Sequence, residues 1–372
     1  PGGRAMRVDR LALTQFRSYP QARAEFSPGV NVITGENAQG KTNLLEAVFY
    51  LSTGRSFRTR REMELILFHR EFADLEGTVT DQARRQNLRA ILFAGRKPRQ
   101  LFLNGVKKKS HGEMSGILTT VLFCPEDLMV LKAGAAARRR FLDQALCQLR
   151  PRYEAALVEY NRILEQKSRI LRDRFENPSL LEVLPEYSRR LCQVGAILIS
   201  YRARFLKGLG EAATRFHREF SGGRETLEIP YRTVSTVEDP FAPLPALEQA
   251  LLMHLDSHRG AELESAQCLT GPHKDDFDAS LDGLSLKSYG SQGQTRTAAI
   301  SLKLAQRELA RRDTGEEPVL LLDDVLSELD PGRQDFVLNQ IQSGQVFITC
   351  CEKDRLTKIG QVLQIQAGNL IL

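Results

Sequence analysis

The chain contains 372 residues, which is more than one compact domain usually holds, so two lobes are expected. Its hydrophobic content of 42% and charged content of 26% are typical of an ordinary water-soluble globular protein. The 52 Lys and Arg residues exceed the 46 Asp and Glu residues, which gives a formal net charge of +6. This excess is compatible with a polyanionic partner but does not require one.

The cysteine pattern and the lack of long apolar runs exclude further classes. None of the six cysteines forms a C-x₂-C pair, which disfavours a zinc site or a disulfide framework. We recognise no signal peptide and no apolar run long enough to span a bilayer, so a cytoplasmic protein is expected. Residues 1–5, which precede Met6, are interpreted as a cloning remnant and left out of the fold prediction.

The first third of the chain is predicted to form strands around one helix. Alternating or continuous apolar residues predict strands at 7–13, 30–34, 74–79, 88–93, 101–106 and 121–123. The segment 101–106 contains Asn104-Gly105, a strong hairpin-turn signal. A helix should follow the second strand and end near Ser52.

The strand at 30–34 leads directly into a glycine-rich turn and a helix start. The turn reads Gly35-Glu36-Asn37-Ala38-Gln39-Gly40-Lys41-Thr42. A phosphate-binding loop requires this order, because the glycines let backbone N–H groups turn inward and the helix adds its positive dipole end. Lys41 is predicted to reach the β- and γ-phosphates, and Thr42 to offer its hydroxyl to Mg²⁺. The alternative, an ordinary glycine-containing turn, requires the octapeptide to have arisen by chance.

Helical periodicity replaces strand signals from about residue 127 to 220. An apolar seam from Tyr187 to Phe205 alternates spacings of four and three, which predicts a helix of about 25 residues. A similar stripe from Tyr153 to Leu171 predicts an earlier helix, separated from the next by Asn177-Pro178. Packed antiparallel, the two would form a helical lobe. A shorter helix is expected at 247–255.

The α/β character returns near residue 266. Strands are predicted at 277–281, 318–323 and 345–349, a helix at 295–309, and a terminal hairpin over 362–372 that turns at Gly368-Asn369. Because the later strands are wholly apolar, their sheet should be covered on both faces.

The strand at 318–323 ends in two carboxylates, Asp323 and Asp324. Proteins of the α/β class place ligands at the C-terminal ends of strands, so Asp323 is the predicted partner for Mg²⁺ opposite Thr42. A strand ending in Asp is common in units without metal, and only its pairing with the phosphate loop gives it weight. The two residues are 281 positions apart (323 − 42), which implies a sheet split by a large insertion.

A second anion-binding arrangement precedes the helix at 295. The sequence Tyr289-Gly290-Ser291-Gln292-Gly293-Gln294 is polar and glycine-bearing, and it leads into a helix N-terminus. The residues alone leave open a simple helix cap by Ser291. Further on, Ser327-Glu328-Leu329-Asp330-Pro331 is an acidic turn that opens the next helix.

These motifs, in this order, resemble the ATPase heads of the ABC and SMC class, and more closely the bacterial RecF family of recombination mediators. The resemblance covers the chain from about residue 6 to 372. Further stretches similar to that family are Thr53-Gly54-Arg55-Ser56-Phe57-Arg58, Phe123-Cys124-Pro125-Glu126-Asp127-Leu128, Arg138-Arg139-Arg140-Phe141-Leu142-Asp143 and Gly271-Pro272-His273-Lys274-Asp275-Asp276.

The resemblance implies an α/β fold of the ABC/SMC ATPase head type, a mixed sheet around the phosphate loop with an inserted α-helical lobe. The N-terminal part of the ATPase lobe is then expected at residues 6–125, with the phosphate loop. The mainly helical lobe is expected at 126–264. The C-terminal part of the ATPase lobe, with the signature, the carboxylate-bearing strand and the acidic turn, is expected at 265–372.

The resemblance also implies a site completed by a second protomer. Ser291 and Gly293 would face the γ-phosphate held by Lys41 of another copy, so ATP would complete a homodimer. Asp324 stands where many ABC ATPases carry glutamate as the base that activates water. Aspartate is one methylene shorter, so slow turnover is expected. Lys41, Ser291 and Asp324 are the expected catalytic residues, and Thr42 and Asp323 the expected Mg²⁺ ligands.

Other positions near this site are less specific. Arg17 is expected to add charge near the nucleotide, and so is Arg58, although each is equally explained as a surface or DNA-facing arginine. Thr349 stands where ABC ATPases carry a histidine that senses the γ-phosphate, and its hydroxyl is expected to replace that histidine. The turn at 125–127 is where we expect residues that relay nucleotide state between the lobes.

The implied function is that of a DNA-binding ATPase switch in recombinational repair, replication restart and the SOS response to DNA damage. ATP-dependent dimerisation would grip DNA near single-strand gaps and junctions, and weak DNA-stimulated hydrolysis would release it without chemistry on the DNA. RecR and RecO are implied partners that help load RecA. A transporter ATPase subunit is the first alternative, but the 249 positions between Thr42 and Ser291 (291 − 42) are too many. An SMC-like structural head is the second, but the insertion is too short for long arms.

DNA contact by basic clusters competes with simple solvation of the same residues. The clusters are Arg58-Arg60-Arg61, Arg96-Lys97-Arg99, Lys107-Lys108-Lys109 and Arg138-Arg139-Arg140. Any one of them is explained as a solvated edge, but four together favour phosphate-backbone contact by some of them. His254 and His258 have a spacing that suits a metal but no third ligand nearby, so a solvated helix face is favoured.

Overall fold

The computed structural model describes residues 6–36, 38–350, 359–366 and 369–371. The chain divides into two compact units, unit 1 with residues 1–128 and 303–372 and unit 2 with residues 129–302. The first boundary lies three residues after the predicted one. The second lies well beyond residue 265, so that the Ser291 segment belongs to unit 2. Short strands after residue 275 pair with strands near residue 230, which keeps this stretch in unit 2.

The first part of unit 1 contains eight strands and one α-helix among its described residues. In chain order they are β1 (Arg7–Phe16), β2 (Tyr19–Glu25), β3 (Val30–Thr34), α1 (Lys41–Thr53), β4 (Phe72–Thr80), β5 (Arg85–Phe93), β6 (Gln100–Leu103), β7 (Val106–Lys108) and β8 (Thr120–Phe123). The predicted hairpin turn is confirmed, because Asn104 and Gly105 connect β6 and β7 with φ of 50° and 80°.

Unit 2 is mainly helical. It contains α2 (Ala135–Leu149), α3 (Pro151–Asp173), α4 (Leu180–Ser221), β9 (Leu227–Glu228), β10 (Tyr231–Arg232), α5 (Leu244–Ser265), β11 (Asp276–Phe277), β12 (Ser280–Leu281), β13 (Leu284–Ser285), α6 (Leu286–Tyr289) and the start of α7 (Gln292–Thr314). The predicted break between α3 and α4 is confirmed. The prediction of about 25 residues for α4 was wrong, since it has 42.

Unit 1 resumes within α7 and ends in a sheet edge. The remaining helices and strands of the described part of the chain are β14 (Val319–Asp323), α8 (Pro331–Gln340), β15 (Val346–Cys350), β16 (Gln361–Gln366) and β17 (Asn369–Ile371). β16 and β17 pair antiparallel, which confirms the terminal hairpin. Gly368 of its predicted turn lies outside the described residues. Among the described residues, no helix has both the length and the apolarity needed to cross a bilayer.

The described residues of unit 1 form two six-stranded sheets. One is antiparallel in the order β2-β1-β4-β5-β6-β7, and the other is mixed in the order β17-β16-β3-β15-β14-β8. In the mixed sheet β8, β14, β15, β3 and β16 run parallel. Every residue of β14 and β15 is buried, as predicted for a sheet covered on both faces.

Helix α1 is packed against both sheets. It contacts β1, β4 and β5 of the antiparallel sheet and β8, β14 and β15 of the mixed sheet. Leu44, Leu45 and Val48 are buried in one continuous apolar cluster with side chains from these strands. Burial of this face stabilises the helix whose first residue, Lys41, follows the phosphate loop.

Strand β2 was not predicted. It pairs with β1 through a two-residue connection at Arg17 and Ser18, with Phe16 opposite Tyr19. Arg17 adopts a φ of 53°, in the left-handed region. The connection lacks the Asn-Gly or glycine signal by which such turns are recognised, so no local pattern predicts it.

Candidate functional site

The turn between β3 and α1 depends on two glycines. Gly35 has a φ of 157°, and a Cβ added there would lie 2.5 Å from the carbonyl oxygen of Ile365. Gly40 has a φ of 114°, and its added Cβ would lie 2.8 Å from Ser18 Oγ and 3.0 Å from Tyr19 Oη. Tyr19 Oη also donates a hydrogen bond of 2.8 Å to Gly40 O. Neither position has room for a side chain, so the glycines of the predicted phosphate loop are required by the packing around it.

Lys41 is turned back over this loop. It is 5% exposed, and its Nζ donates hydrogen bonds to Gly35 O (2.6 Å) and Glu36 O (3.0 Å). Ala38, in the left-handed region with a φ of 64°, and Gln39 complete the turn, while Asn37 lies outside the described residues. The ammonium group therefore lies at the mouth of a loop that ends at a helix N-terminus, the arrangement that a polyphosphate requires.

Thr42 and Asp323 meet across 281 positions of sequence. Thr42 Oγ1 donates a hydrogen bond of 2.9 Å to Asp323 Oδ1. Thr349, which pairs with Asp323 in the sheet, donates a second one of 2.9 Å to the same oxygen. Burial raises the pKa of Asp323, and the hydrogen bonds from Thr42 and Thr349 oppose that rise. The hydroxyl and carboxylate oxygens are the donors that Mg²⁺ prefers, so these residues fit a Mg²⁺ ion.

Asp324 follows Asp323 in an unusual backbone conformation. Its φ of 52° lies in the left-handed region, and it caps the 3₁₀ turn Val325–Glu328. Its N–H donates a hydrogen bond of 2.8 Å to Thr349 Oγ1, so one hydroxyl contacts both members of the Asp pair. Asp324 is partly exposed, whereas Asp323 is buried. Non-glycine residues rarely adopt this conformation, and it is common at functional sites.

Arg17 is held by a buried carboxylate that the sequence analysis did not single out. Its guanidinium donates two hydrogen bonds of 2.8 Å to Glu46 of α1, whose side chain is completely buried. Ser56 Oγ donates a third one of 2.5 Å, and Arg58 lies 3.8 Å away. The only signal for Glu46 was an acidic residue within the apolar sequence of α1. Arg17 is thus placed at the side of the helix that follows the phosphate loop, as part of an ion pair.

Arg58 reaches the same helix from the segment after it. It donates a hydrogen bond of 2.8 Å to Asn43 Oδ1, and Asn43 in turn donates to Ser18 Oγ at 2.9 Å. Arg58 is half exposed, and its positive charge is among the influences that lower the pKa of Asp323. Its charge therefore acts on the carboxylate that we expect to bind Mg²⁺.

Ser291 and Gln294 cap the N-terminus of α7 reciprocally. The N–H of Gln294 donates to Ser291 Oγ at 3.1 Å, and the N–H of Ser291 donates to Gln294 Oε1 at 3.0 Å. This is a capping box, which satisfies two backbone donors at the helix end. Gly293 lies within the first turn, and its carbonyl accepts a hydrogen bond of 3.0 Å from Thr297 Oγ1. A helix cap and an anion site are compatible at Ser291. The cap uses the hydroxyl oxygen only as an acceptor, so the hydroxyl proton of this exposed residue can still be donated to an anion.

The basic clusters separate into internal and exposed residues. Arg138 is 3% exposed and forms hydrogen bonds of 2.7 and 2.8 Å with both carboxylate oxygens of Asp276. Arg139 donates to Asp275 O at 2.6 Å, and Arg99 to Gly54 O at 2.6 Å. These three arginines stabilise the fold. Exposed members are Arg58, Arg60, Arg61, Arg96, Lys97, Lys107, Lys109 and Arg140.

The solvated helix face favoured for His254 and His258 was wrong for His254, which is only 7% exposed. The rings of His254 and His258 stack 3.9 Å apart, and His254 Nδ1 lies 2.8 Å from Thr270 Oγ1. In the described part of the chain, no group of three or more His, Cys, Asp or Glu side chains is arranged to hold a metal.

Comparison with known proteins decides the family. Residues 7–370 match the family model described as the RecF/RecN/SMC N terminal domain. The DNA replication and repair protein RecF of Acetivibrio thermocellus is 38% identical over 356 residues, which cover 94% of either chain. The chain belongs to the RecF family. The RecF of Symbiobacterium thermophilum is 37% identical over 374 residues, which cover 99% of this chain and 98% of that one.

Solved structures agree with this assignment. A structure of the recombination mediator protein RecF–ATPrS in the RecFOR pathway has a TM-score of 0.92 and 33% identity, and covers 99% of this chain and 98% of its own. One of RecF–ATP has a TM-score of 0.89 and 34% identity, with coverages of 100% and 98%. The SMC head domain from Pyrococcus furiosus reaches 0.55 at 16% identity. The predicted ABC/SMC-type ATPase head fold is confirmed.

Proposed function

We propose that this RecF family member is an ATP-dependent DNA-binding switch. The observation that carries the proposal is the hydrogen bond of 2.9 Å between Thr42 and Asp323, directly beside Lys41 of the phosphate loop. Two segments separated by 281 positions converge there on the donor set of a Mg²⁺-nucleotide site. Solved RecF structures with nucleotide support the same assignment.

ATP would be held by the loop residues Gly35, Glu36, Asn37, Ala38, Gln39, Gly40, Lys41 and Thr42. The backbone N–H groups of the loop and the Lys41 ammonium would bind the phosphates, and Thr42 and Asp323 would hold Mg²⁺. Mg²⁺ when bound would neutralise phosphate charge. Arg17, fixed on Glu46, would act on the loop through α1. The more exposed Arg58 would add positive charge that favours the ionised form of Asp323.

Asp324 would act as the general base for hydrolysis. Its backbone is fixed by Thr349, while its side chain is partly exposed. The shorter aspartate would hold its carboxylate farther from the attacking water than a glutamate would, and base catalysis worth about 10²–10⁴-fold would be partly lost. Slow hydrolysis suits a switch, because the ATP-bound state then lasts long enough to act.

The site would be completed by a second copy of the chain. Ser291 and Gly293 at the N-terminus of α7 would bind the γ-phosphate held by Lys41 of the partner protomer. An exposed hydroxyl and a helix N-terminus have the right chemistry for this contact. ATP then stabilises the dimer by mass action, because it binds the paired state better than the single protomer.

DNA would bind the dimer through the exposed basic residues, mainly by contacts to phosphates. We include Lys107, Lys109 and Arg140 among them and exclude Arg138, which is buried on Asp276. Hydrolysis of ATP would release the DNA. The family further suggests gaps and junctions as the DNA target, and RecR and RecO as partners in loading RecA. A transporter subunit or a structural head is not favoured, because nearly the whole chain aligns with RecF proteins.

Sedimentation with and without ATP, Mg²⁺ and duplex DNA tests the proposal. The wild-type protein should sediment as a monomer alone and as a dimer with ATP and Mg²⁺, and it should bind DNA more tightly as the dimer. Ser291→Arg should bind ATP as a monomer but not dimerise, because the larger cation blocks the composite site. A wild-type protein that stays monomeric with ATP and Mg²⁺ contradicts the proposal, and so does a Ser291→Arg variant that loses ATP binding itself.

A further inference from the structure

The side-chain amide of Gln294 is bound at both ends. Its Oε1 accepts the N–H of Ser291 at 3.0 Å, and its Nε2 donates to Glu225 Oε1 at 2.8 Å. The amide group must keep this orientation, because a flipped amide would point its NH₂ at the N–H of Ser291, donor against donor.

Glu225 enforces that orientation from the segment between α4 and β9. A carboxylate only accepts hydrogen bonds, so it selects the amide orientation in which Nε2 faces it. Its second oxygen, Oε2, lies 2.9 Å from Nε2 of His217, which is completely buried in α4. The hydrogen bonds from Gln294 and His217 lower the pKa of Glu225, so it is ionised at neutral pH. Glu225 is therefore itself held by contact with a side chain that is completely buried.

We propose that Glu225 is a positioning residue that orients Gln294, and through it Ser291, for contact with a nucleotide held by the partner protomer. This inference rests on the proposed function. All three residues and His217 belong to unit 2. The chain of contacts joins the N-terminus of α7 to α4 and ends on the backbone N–H of Ser291. It therefore holds the backbone from which the Ser291 hydroxyl projects.

Holding the backbone of Ser291 in one conformation before ATP binds should strengthen the composite site, because a group that is already fixed loses less entropy when it meets the phosphate. The effect counts twice, because a symmetric dimer contains two such sites. Weakening each of two identical sites by about fivefold weakens the dimer by about 25-fold. A modest local change should therefore have a large effect on assembly.

The first measurement is amide hydrogen exchange in the nucleotide-free protein, in peptides spanning residues 289–298. Glu225→Ala should speed exchange in this stretch at least about threefold, because Gln294 no longer holds the N–H of Ser291 in one orientation. Glu225→Gln should exchange like the wild type, since a glutamine oxygen can still accept from Gln294. Glu228→Ala is the matched control, because Glu228 is exposed on the adjacent strand β9 and its loss removes the same charge.

The second measurement is the ATP-dependent dimer dissociation constant, with ATP affinity measured separately on the monomer. Glu225→Ala should raise the dimer constant about 25-fold and change monomer ATP affinity less than about twofold. Adding Glu225→Ala to Gln294→Ala should have no further effect on dimerisation, because Glu225 acts through Gln294. If Glu225→Ala instead caused a general loss of stability, it would weaken both dimerisation and ATP binding by the monomer. Its effect on dimerisation would then add to that of Gln294→Ala.

The outcomes separate this inference from the proposed function. If the wild type does not dimerise with ATP, the proposed function fails. Faster exchange in Glu225→Ala, but not in Glu228→Ala, would still support the positioning of Gln294 and Ser291 by Glu225. If exchange in Glu225→Ala equals that of Glu228→Ala, the positioning role is overturned. It is also overturned if Glu225→Ala dimerises like the wild type while Gln294→Ala does not, or if Glu225→Gln is as defective as Glu225→Ala.

Discussion

Thr349→Val should destabilise unit 1 and disturb the Mg²⁺ site together. Valine has nearly the shape of threonine but lacks the hydroxyl that donates to Asp323 (2.9 Å) and accepts from the N–H of Asp324 (2.8 Å). A hydrogen bond to a charged group contributes about 1.5–3 kcal/mol and a neutral one about 0.5–1.5 kcal/mol. Because the Asp324 contact is partly exposed, the expected loss is about 2–3 kcal/mol.

Urea unfolding measures this loss. The chain has no tryptophan, so far-UV circular dichroism is the suitable signal. With a slope of about 3 kcal/mol/M for a chain of this size, the midpoint of the transition that reports unit 1 should fall by about 0.7–1 M. Since the two units can unfold in separate steps, that transition is identified by the shift that ATP and Mg²⁺ produce. Thr349→Ser keeps the hydroxyl and should stay within about 0.3 M of the wild type.

The pH dependence gives the same prediction an independent check. Burial raises the pKa of Asp323 and the Thr349 hydrogen bond opposes that rise, so its removal raises the pKa further. A carboxyl group whose pKa is higher in the folded state than in the unfolded state stabilises the folded state at low pH. This stabilisation is lost as the pH rises through the pKa of the folded state. The difference in unfolding free energy between the wild type and Thr349→Val should therefore become smaller as the pH falls.

Binding of Mg²⁺-ATP needs the ionised carboxylate of Asp323. On acidification, Thr349→Val should therefore lose this binding at a higher pH than Thr349→Ser does.

Two results would refute this reasoning. Equal urea midpoints for Thr349→Val and Thr349→Ser would show that the hydroxyl contributes nothing to unit 1. If Thr349→Val and Thr349→Ser lost Mg²⁺-ATP binding at the same acidic pH, Thr349 would not influence the pKa of Asp323.

Three further changes test other parts of the molecule. Lys41→Arg should retain the circular dichroism spectrum but abolish ATP-driven dimerisation in sedimentation, and a variant that still dimerises would defeat the phosphate-loop assignment. Arg138→Ala should lower the free energy of unfolding by about 2 kcal/mol in urea titration, because it leaves a carboxylate unpaired, whereas Arg140→Ala should change it by less than about 0.5 kcal/mol. Replacing Lys107 and Lys109 together by alanine should weaken binding to all duplex sequences and reduce the slope of log affinity against log salt by about 2, and an unchanged slope would mean that these lysines are only solvated.

The local geometry of the candidate phosphate loop was predictable because its parts are adjacent in sequence. A strand, a glycine-rich turn and Lys41-Thr42 at a helix start are adjacent, and their spacing fixes their relative geometry. Asp323 was also recognisable, since a wholly apolar strand must be central and its carboxyl end is where ligands lie. The structure then placed Thr42 and Asp323 in contact.

The supporting contacts were not predictable, because they join residues that no local pattern links. Glu46 looked like one polar residue in a helix, yet it holds Arg17 across a turn without a sequence signal. Arg138 belonged to a basic cluster that suggested DNA, but a carboxylate far along the chain makes it internal. The pairing of Gln294 with Glu225 likewise joins distant positions. A charge pattern shows which residues are ionised and cannot show which of them find partners.

The length of α4 was underestimated for a related reason. The apolar seam on which the prediction rested spans only its middle, and the N-terminal turns contain Pro185. A proline early in a helix is tolerated where few backbone bonds are lost, so it does not end the helix there. Packing against α3 and α5 then stabilises turns that the seam alone does not mark.

Strand β7 ends the antiparallel sheet with only three residues, and Val106 and Lys107 are exposed on it. An open sheet edge offers unpaired backbone groups to any similar strand, and a short edge with positive charge discourages that addition. For a protein proposed to meet its own copy only when nucleotide is present, such an edge limits accidental fusion of sheets in crowded solution. Two copies would then associate only through the proposed interface that ATP controls, and not through aggregation at the sheet edge.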